Sequence, residues 1–375
     1  MSATVTENLA EEVTVTAAGI PIRNLWHMLL HAWNEVALKD HWQAEAETSP
    51  SLDALLASIL ASLVQQRLRI GLGRSYTNEA RLLRGIRGRV NFAESLKRLA
   101  FENGQAHCRY QTYSHNALKN QIVRSTLARL VQAGQFGTDR LRADAIRHKL
   151  RRLVRDLDGI DLIELKVDFI RRQQFGRNDT DYRVMLAICE LLLQRQMPTE
   201  IAGSHKLLGL DRDALTLHRI YERFVANFYK LHLVGWTVTP QMRLRWHTAK
   251  TSNYMPTMSP DLVLQHEVTG RMVVLDTKFT ANSLIPTRWG NYIFDPSHLY
   301  QLYAYLRTQE HLSDSHRFAS GILLYPAVRK ELSETAELQG HQIHLVTINL
   351  SQPWNEIEND LLDLVSTSEK REGRF

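Results

Sequence analysis

The sequence is nearly without cysteine: Cys108 and Cys189 are alone among 375 residues. That excludes a disulfide framework or a cysteine-held zinc cluster and fits a reducing compartment. No apolar run reaches the ~18 residues that a bilayer span requires. Residues 1–18, rich in Thr, Ala and Glu, have neither the basic start nor the apolar centre of a secretory signal. The expectation is a soluble, cytoplasmic protein with no membrane partner. Also missing are the G-x-x-x-x-G-K-(S/T) phosphate loop and the G-x-S-x-G nucleophile elbow. Any nucleotide dependence would therefore have to come from another chain. Internal repeats and low-complexity tracts are absent as well, and 44% apolar with 23% charged residues is the balance of a folded protein rather than a disordered one.

Positive charge is present and unevenly spread. Of a formal net charge of +6, the stretch from Gln66 to Leu130 holds thirteen Lys or Arg against three acids, so the rest of the chain is net acidic. Arg81, Arg84, Arg87, Arg89 and Arg109 make a concentrated basic surface that suits DNA phosphates or the acidic face of a protein partner. The sequence does not choose between the two.

Periodicity predicts an α/β protein of two domains. After a loose tail over 1–18, helical spacing covers Leu25 to Trp33, Leu52 to Leu68, Leu118 to Ala133, Leu141 to Leu157 and Arg183 to Gln196, with short strands and turns between the second and third. This α+β module would span 19–197. From 198 to 375 the pattern is a helix (Ala214 to Leu233), strands (Trp236 to Trp246, Asp261 to His266, Met272 to Phe279), a helix (His298 to Gln309) and strands (Ser320 to Tyr325, His341 to Ile348). That order is a small α/β unit with a mixed central sheet.

The chemistry concentrates in SPDLVLQHEVTGRMVVLDTKF. Two β-rich runs joined by a Val-Thr-Gly turn form a hairpin, with Asp261 near the start of one and Asp276, Thr277 and Lys278 at the end of the other. Side chains alternate along a strand, so Asp276 and Lys278 share a face, about 7 Å apart by Cα. Hydrolysis of a phosphodiester calls for a hard cation that offsets phosphate charge and acidifies a bound water, and magnesium takes oxygen ligands. Asp261, Asp276 and the carbonyl of Thr277 can supply them, and Lys278 can steady the nucleophile or the phosphate. Glu222, at the border of the apolar stripe Leu217, Ile220, Tyr221, Phe224, Val225 and Phe228, can aim a further carboxylate inward, although a glutamate there is also an ordinary surface residue. Gln301 and Tyr305, one helical turn apart, can contact DNA or support the site. His27 and His31 stand at i and i+4, a zinc-compatible spacing, but with no third ligand in view they read as packing.

Pro260-Asp261, Asp276-x-Lys278, the upstream Glu222 and the Gln301/Tyr305 pair together resemble the PD-(D/E)XK nuclease superfamily. The block IPIRNLWHMLLHAWN, the run Arg87 to Phe92 and the segment with Asn116 and Asn120 resemble the McrC family, nuclease subunits of McrBC restriction systems. That resemblance spans Ile20 to about Ile348. It implies a restriction-endonuclease-like C-terminal domain that cleaves double-stranded DNA with Mg2+. It further implies an N-terminal domain that binds a McrB-like AAA+ GTPase hexamer and stimulates its GTP hydrolysis, so that GTP is used by the partner and not bound here. Two other functions stay open at this point: a catalytically silent adaptor of such a ring, and a stand-alone DNA repair nuclease.

Overall fold

The computed structural model describes residues 19–176, 179–196, 209–248, 252, 254–279, 284–286, 292–327 and 332–372. The expected tail, 1–18, and most of the expected domain boundary lie outside them. In chain order the elements are α1 (Ile22–Trp33) and α2 (Gln43–Thr48); then α3 (Leu52–Ile70), β1 (Ser75–Arg84), β2 (Arg89–Val90), α4 (Phe92–Lys97), β3 (Gln105–Ser114), α5 (Leu118–Ala133), α6 (Arg140–Asp156), α7 (Val167–Arg171) and α8 (Thr180–Gln196). There follow α9 (Gly209–His232), β4 (Trp236–Pro240), β5 (Leu262–His266), β6 (Met272–Thr277), β7 (Leu284–Pro286), β8 (Tyr292–Phe294), α10 (Pro296–Arg307), α11 (Asp314–Arg317), β9 (Ser320–Ala327), β10 (Ser333–Leu338), β11 (His341–Asn349) and α12 (Trp354–Glu372).

These elements make two compact units, one from Ser49 to Glu200 and one joining residues up to Thr48 with those from Ile201 on. The division departs from the sequence expectation, which puts everything from 19 to 197 in one module. The reason is visible on α1, which is buried on nearly every face. Asn24 donates through Nδ2 to the carbonyls of Leu350 and Gln352 at 2.8 Å each, Asn227 donates to the carbonyl of His31 at 2.9 Å, and the His27 ring stacks on Trp354 at 4.8 Å. A helix buried on nearly every face has to be enclosed, and the chain encloses this one between α9 and the segment leading into α12.

In the Ser49–Glu200 unit, β1 and β2 flank β3 in an antiparallel sheet. Gly88 permits the turn between β1 and β2: its φ is +68° and a Cβ there would lie 2.4 Å from the carbonyl oxygen of Arg109. Asn91 caps α4 by accepting from the Glu94 N–H at 3.3 Å. Asn120 is 2% exposed and fully used: Nδ2 donates to the carbonyls of Gly73 and His115, while Oδ1 accepts from the Tyr182 hydroxyl at 2.6 Å. Residues 161–166 are irregular and lead into α7.

The other unit is an α/β layer with a mixed six-stranded sheet in the order β10-β11-β9-β6-β5-β4, parallel at β6–β9 and β9–β11 and antiparallel elsewhere. Every residue of β6 is buried, as a central strand covered on both faces must be. Helix α10 makes the crossover from β6 to β9 and packs Leu302, Tyr305 and Leu306 against Val263, Met272, Val274 and Leu323. Gly321 on β9 lets it sit close, since a Cβ there would meet Leu302 at 2.9 Å.

Candidate active site

Strand register is the first cause of the site. The β5–β6 hairpin pairs Leu262 with Leu275, so one step further on Asp261 and Asp276 lie side by side where the ladder ends. Alternation places Asp276 on the face of Met272 and Val274, toward Tyr305. It turns Thr277 the other way, where its N–H and its hydroxyl both donate to Oδ2 of Asp261, at 2.8 and 2.6 Å. Lys278 follows β6, held by its N–H on the carbonyl of Leu324 at 2.9 Å. Its ammonium lies 2.5 Å from Oδ2 of Asp276 and donates to Oε1 of Gln301 at 2.7 Å.

From there the bonds close into a network. Gln301 Nε2 donates to the Tyr305 hydroxyl at 2.6 Å, and that hydroxyl donates to the carbonyl of Ser259 at 3.4 Å. Ser259 Oγ donates to Oε1 of Gln241 at 3.2 Å. The Gln241 amide bridges two carboxylates, donating to Glu222 Oε1 at 2.5 Å and Asp261 Oδ1 at 3.2 Å. Glu222, Asp261, Asp276, Thr277, Lys278, Gln301 and Tyr305, singled out from the sequence on four separate elements and loops, thus meet at the end of one strand pair.

Electrostatics at this point are strained. Burial, followed by the charge of Asp261, pushes the Asp276 carboxyl up to about 6 against the pull of Lys278. Burial and then Asp261 also raise Glu222, opposed by its bond from Gln241. Carboxyl groups held this close resist ionising together, and the positive charge within the cluster is the Lys278 ammonium. A hard divalent cation is the natural counterion for such an oxygen set.

Beside this geometry stand the similarities to known proteins. The family model described as McrBC 5-methylcytosine restriction system component matches residues 5–326. The chain belongs to that family. An Escherichia coli K12 relative, the type IV methyl-directed restriction enzyme EcoKMcrBC, is 27% identical over 351 residues, spanning 92% of this chain and 97% of that one. Among solved structures, a chain of the Thermococcus gammatolerans assembly of McrB AAA+ hexamers with bound McrC superposes with a TM-score of 0.53 at 18% identity, covering 92% of this chain and 76% of its own. At that identity the likeness speaks to the fold.

In this McrBC-family chain the site also contains residues that the sequence reading passes over. His218 lies one turn before Glu222 on α9, within electrostatic reach of Asp261 and Lys278, and its imidazole is lowered chiefly by burial. The i, i+4 spacing to Glu222 was the available signal. His298, one turn before Gln301 on α10, contacts the Tyr325 hydroxyl at 3.1 Å and lies near Lys278. Gln241 and Ser259 carried no signal, because their importance comes from what they join.

The arginines fall in the other unit. Arg89 and Arg109 are paired across β2 and β3. Arg87 lays its guanidinium over the Tyr110 ring at 4.4 Å, Arg81 pairs with Glu79 at 3.0 Å, and Arg84 is exposed at the end of β1. Around them Ile86, Phe92, Leu96, Leu99 and Phe101 stand in solvent, Ile86 77% exposed. Among the described residues no helix is long and apolar enough to cross a membrane.

Proposed function

We propose that this chain is the endonuclease subunit of a modification-dependent, GTP-requiring restriction system. Its residues 198–375 would form a PD-(D/E)XK nuclease domain, cleaving double-stranded DNA in the cytoplasm. The observation that carries the reading is the buried Asp276 beside Asp261, with one ammonium between Asp276 and Gln301. Asp261, Asp276 and Glu222 fit a magnesium ion by donor type, and the Thr277 carbonyl can add a fourth oxygen. Magnesium, when bound, would neutralise charge on the scissile phosphate and lower the pKa of its water. The chain's own residues have distinct tasks. Lys278 places a positive charge against the phosphate or the incoming nucleophile, Gln301 and Tyr305 hold that ammonium in place, and Thr277 fixes the Asp261 carboxylate with two hydrogen bonds.

The relative in Thermococcus gammatolerans has McrC bound to McrB AAA+ hexamers. By analogy we assign to the present chain a McrB-like AAA+ GTPase hexamer as partner and GTP as the partner's ligand. Exposed apolar residues interleaved with arginines on the β1–β3 sheet and α4 suit a protein surface better than phosphates alone, because Phe92, Leu96 and Phe101 gain from leaving water. The arginines then supply steering and orientation.

The test is cleavage of methylated duplex DNA by the chain together with its GTPase, with Mg2+ or with EDTA. Asp276→Ala and Lys278→Ala should each abolish cleavage while leaving stimulation of GTP hydrolysis at the parental rate. Undiminished cutting by either variant sinks the assignment.

A further inference from the structure

In the same unit, with one member on the α9 helix that also carries Glu222 but ten residues beyond it, three ligand-bearing side chains converge. His31 ends α1, His232 ends α9 and Glu358 lies in the second turn of α12, and one donor atom from each falls within 4.8 Å of the others. Among the described residues this is the one group of three His, Cys or acidic side chains so arranged.

Packing alone leaves this cluster poorly explained. His31 is 2% exposed, and its Nδ1 has no hydrogen-bond partner. A buried polar nitrogen without a partner costs free energy unless something pairs with it. The ring is otherwise walled by apolar groups, with Phe224 and Phe228 centred 5.6 Å away and Trp354 at 5.5 Å. Burial keeps it neutral at ordinary pH, the form that carries a lone pair for a metal.

The remaining geometry suits a metal. The His31 and His232 rings have centroids 5.9 Å apart and planes tilted by 44°. Two imidazoles on one tetrahedral ion, with Zn–N near 2.0–2.1 Å, place their centroids roughly 5 Å apart. Trp354 donates through Nε1 to Oε1 of Glu358 at 2.6 Å, the kind of outer hydrogen bond that orients a ligating carboxylate. His232 is exposed and Glu358 half-buried, so both can swing the last ångström toward the fixed His31. His27, which sequence spacing pairs with His31, is not in the cluster, because its ring is stacked on Trp354.

We infer that His31, His232 and Glu358 form a second metal site, which takes a divalent transition ion of zinc type with water in the fourth position and ties together the ends of α1, α9 and α12. Two imidazoles with one carboxylate select zinc-like ions over magnesium, which prefers oxygen. The site is therefore chemically distinct from the Asp261–Asp276 cluster and does not depend on its role.

The test uses the full, tag-free chain stripped with EDTA and dialysed against Zn2+, alongside Asp261→Asn/Asp276→Asn, which removes the acidic cluster. Both proteins should retain one zinc per chain, give the visible spectrum of tetrahedral Co2+ when cobalt replaces it, and gain on the order of 5 °C in Tm at a hundredfold excess over Kd. His232→Gln and Glu358→Gln, at positions open enough to leave the fold intact by circular dichroism, should each weaken zinc binding at least about tenfold. They should also lose the Tm gain. Absence of zinc from the acidic-cluster variant at micromolar concentration, or zinc uptake unchanged in His232→Gln and Glu358→Gln, overturns the inference.

Discussion

Asp276→Asn should make the metal-free protein more stable while destroying its cleavage of DNA. The carboxyl is 2% exposed and held at about 6, against an ordinary 3.8. At roughly 1.4 kcal/mol per pH unit, keeping it ionised in the folded state costs about 3 kcal/mol at neutral pH. Asparagine keeps the shape and drops the charge. That cost is already net of the ion pair with Lys278, whose ammonium retains Gln301 at 2.7 Å in the variant. The gain is about 3 kcal/mol, or several degrees in Tm for a unit of this size. The sign with pH follows from linkage. A carboxyl with a raised folded pKa gives its full relative stability below 3.8 and loses it as pH rises through 6, so the folded state binds the extra proton between those values. The advantage of the variant should therefore be largest above about pH 7 and shrink steadily toward pH 4. Thermal unfolding of parent and variant in EDTA, followed across that window, measures it, and differencing the two cancels all other titrations. Magnesium should reverse the order by stabilising only the parent. A variant that melts lower than its parent at neutral pH in EDTA, or a gap that does not move with pH, would refute the electrostatic account.

Other outcomes test the packing and the assigned roles. Thr277→Val removes the hydroxyl that donates to Asp261 at 2.6 Å and should cost about 1 kcal/mol of stability and slow cleavage, read as a fall in kcat at unchanged fold. Leu302→Ala, at a fully buried residue packed over Gly321, should cost about 2–5 kcal/mol in denaturant unfolding. Cys189, buried with its thiol pushed up to about 12, should resist a thiol reagent in the native protein and react only on unfolding. Phe92→Asp with Leu96→Asp, both at exposed positions, should leave Tm within about 1 °C and cut stimulation of the partner GTPase at least tenfold. Full stimulation by that double variant would remove the partner surface from α4.

Much of the fold is legible in the chain because local rules hold where burial is simple. The period of 3.6 in Leu118 to Ala133 and in Leu141 to Leu157 became α5 and α6 within a residue or so. The β-rich runs on either side of Val268-Thr269-Gly270 became the β5–β6 hairpin, with Gly270 at φ +69°. The strands that escaped reading, β10 with its largely exposed pattern among them, have little apolar alternation to announce them. The apolar residues of helix α1 declare that it is buried without saying against what.

The same line runs through the site. The residue types and their order, an acid before the hairpin, Asp-x-Lys after it, a glutamate upstream and a Gln–Tyr pair downstream, are properties of the chain, since each depends on local spacing and side-chain chemistry. Which of them touch is settled by strand register, by the parallel crossover that lowers α10 onto Gly321, and by Gln241 joining two carboxylates that lie far apart in sequence. The meeting of His31, His232 and Glu358 at three helix ends belongs wholly to that second kind. No local pattern could express it, because a cluster made of long-range contacts exists only once the chain has closed upon itself.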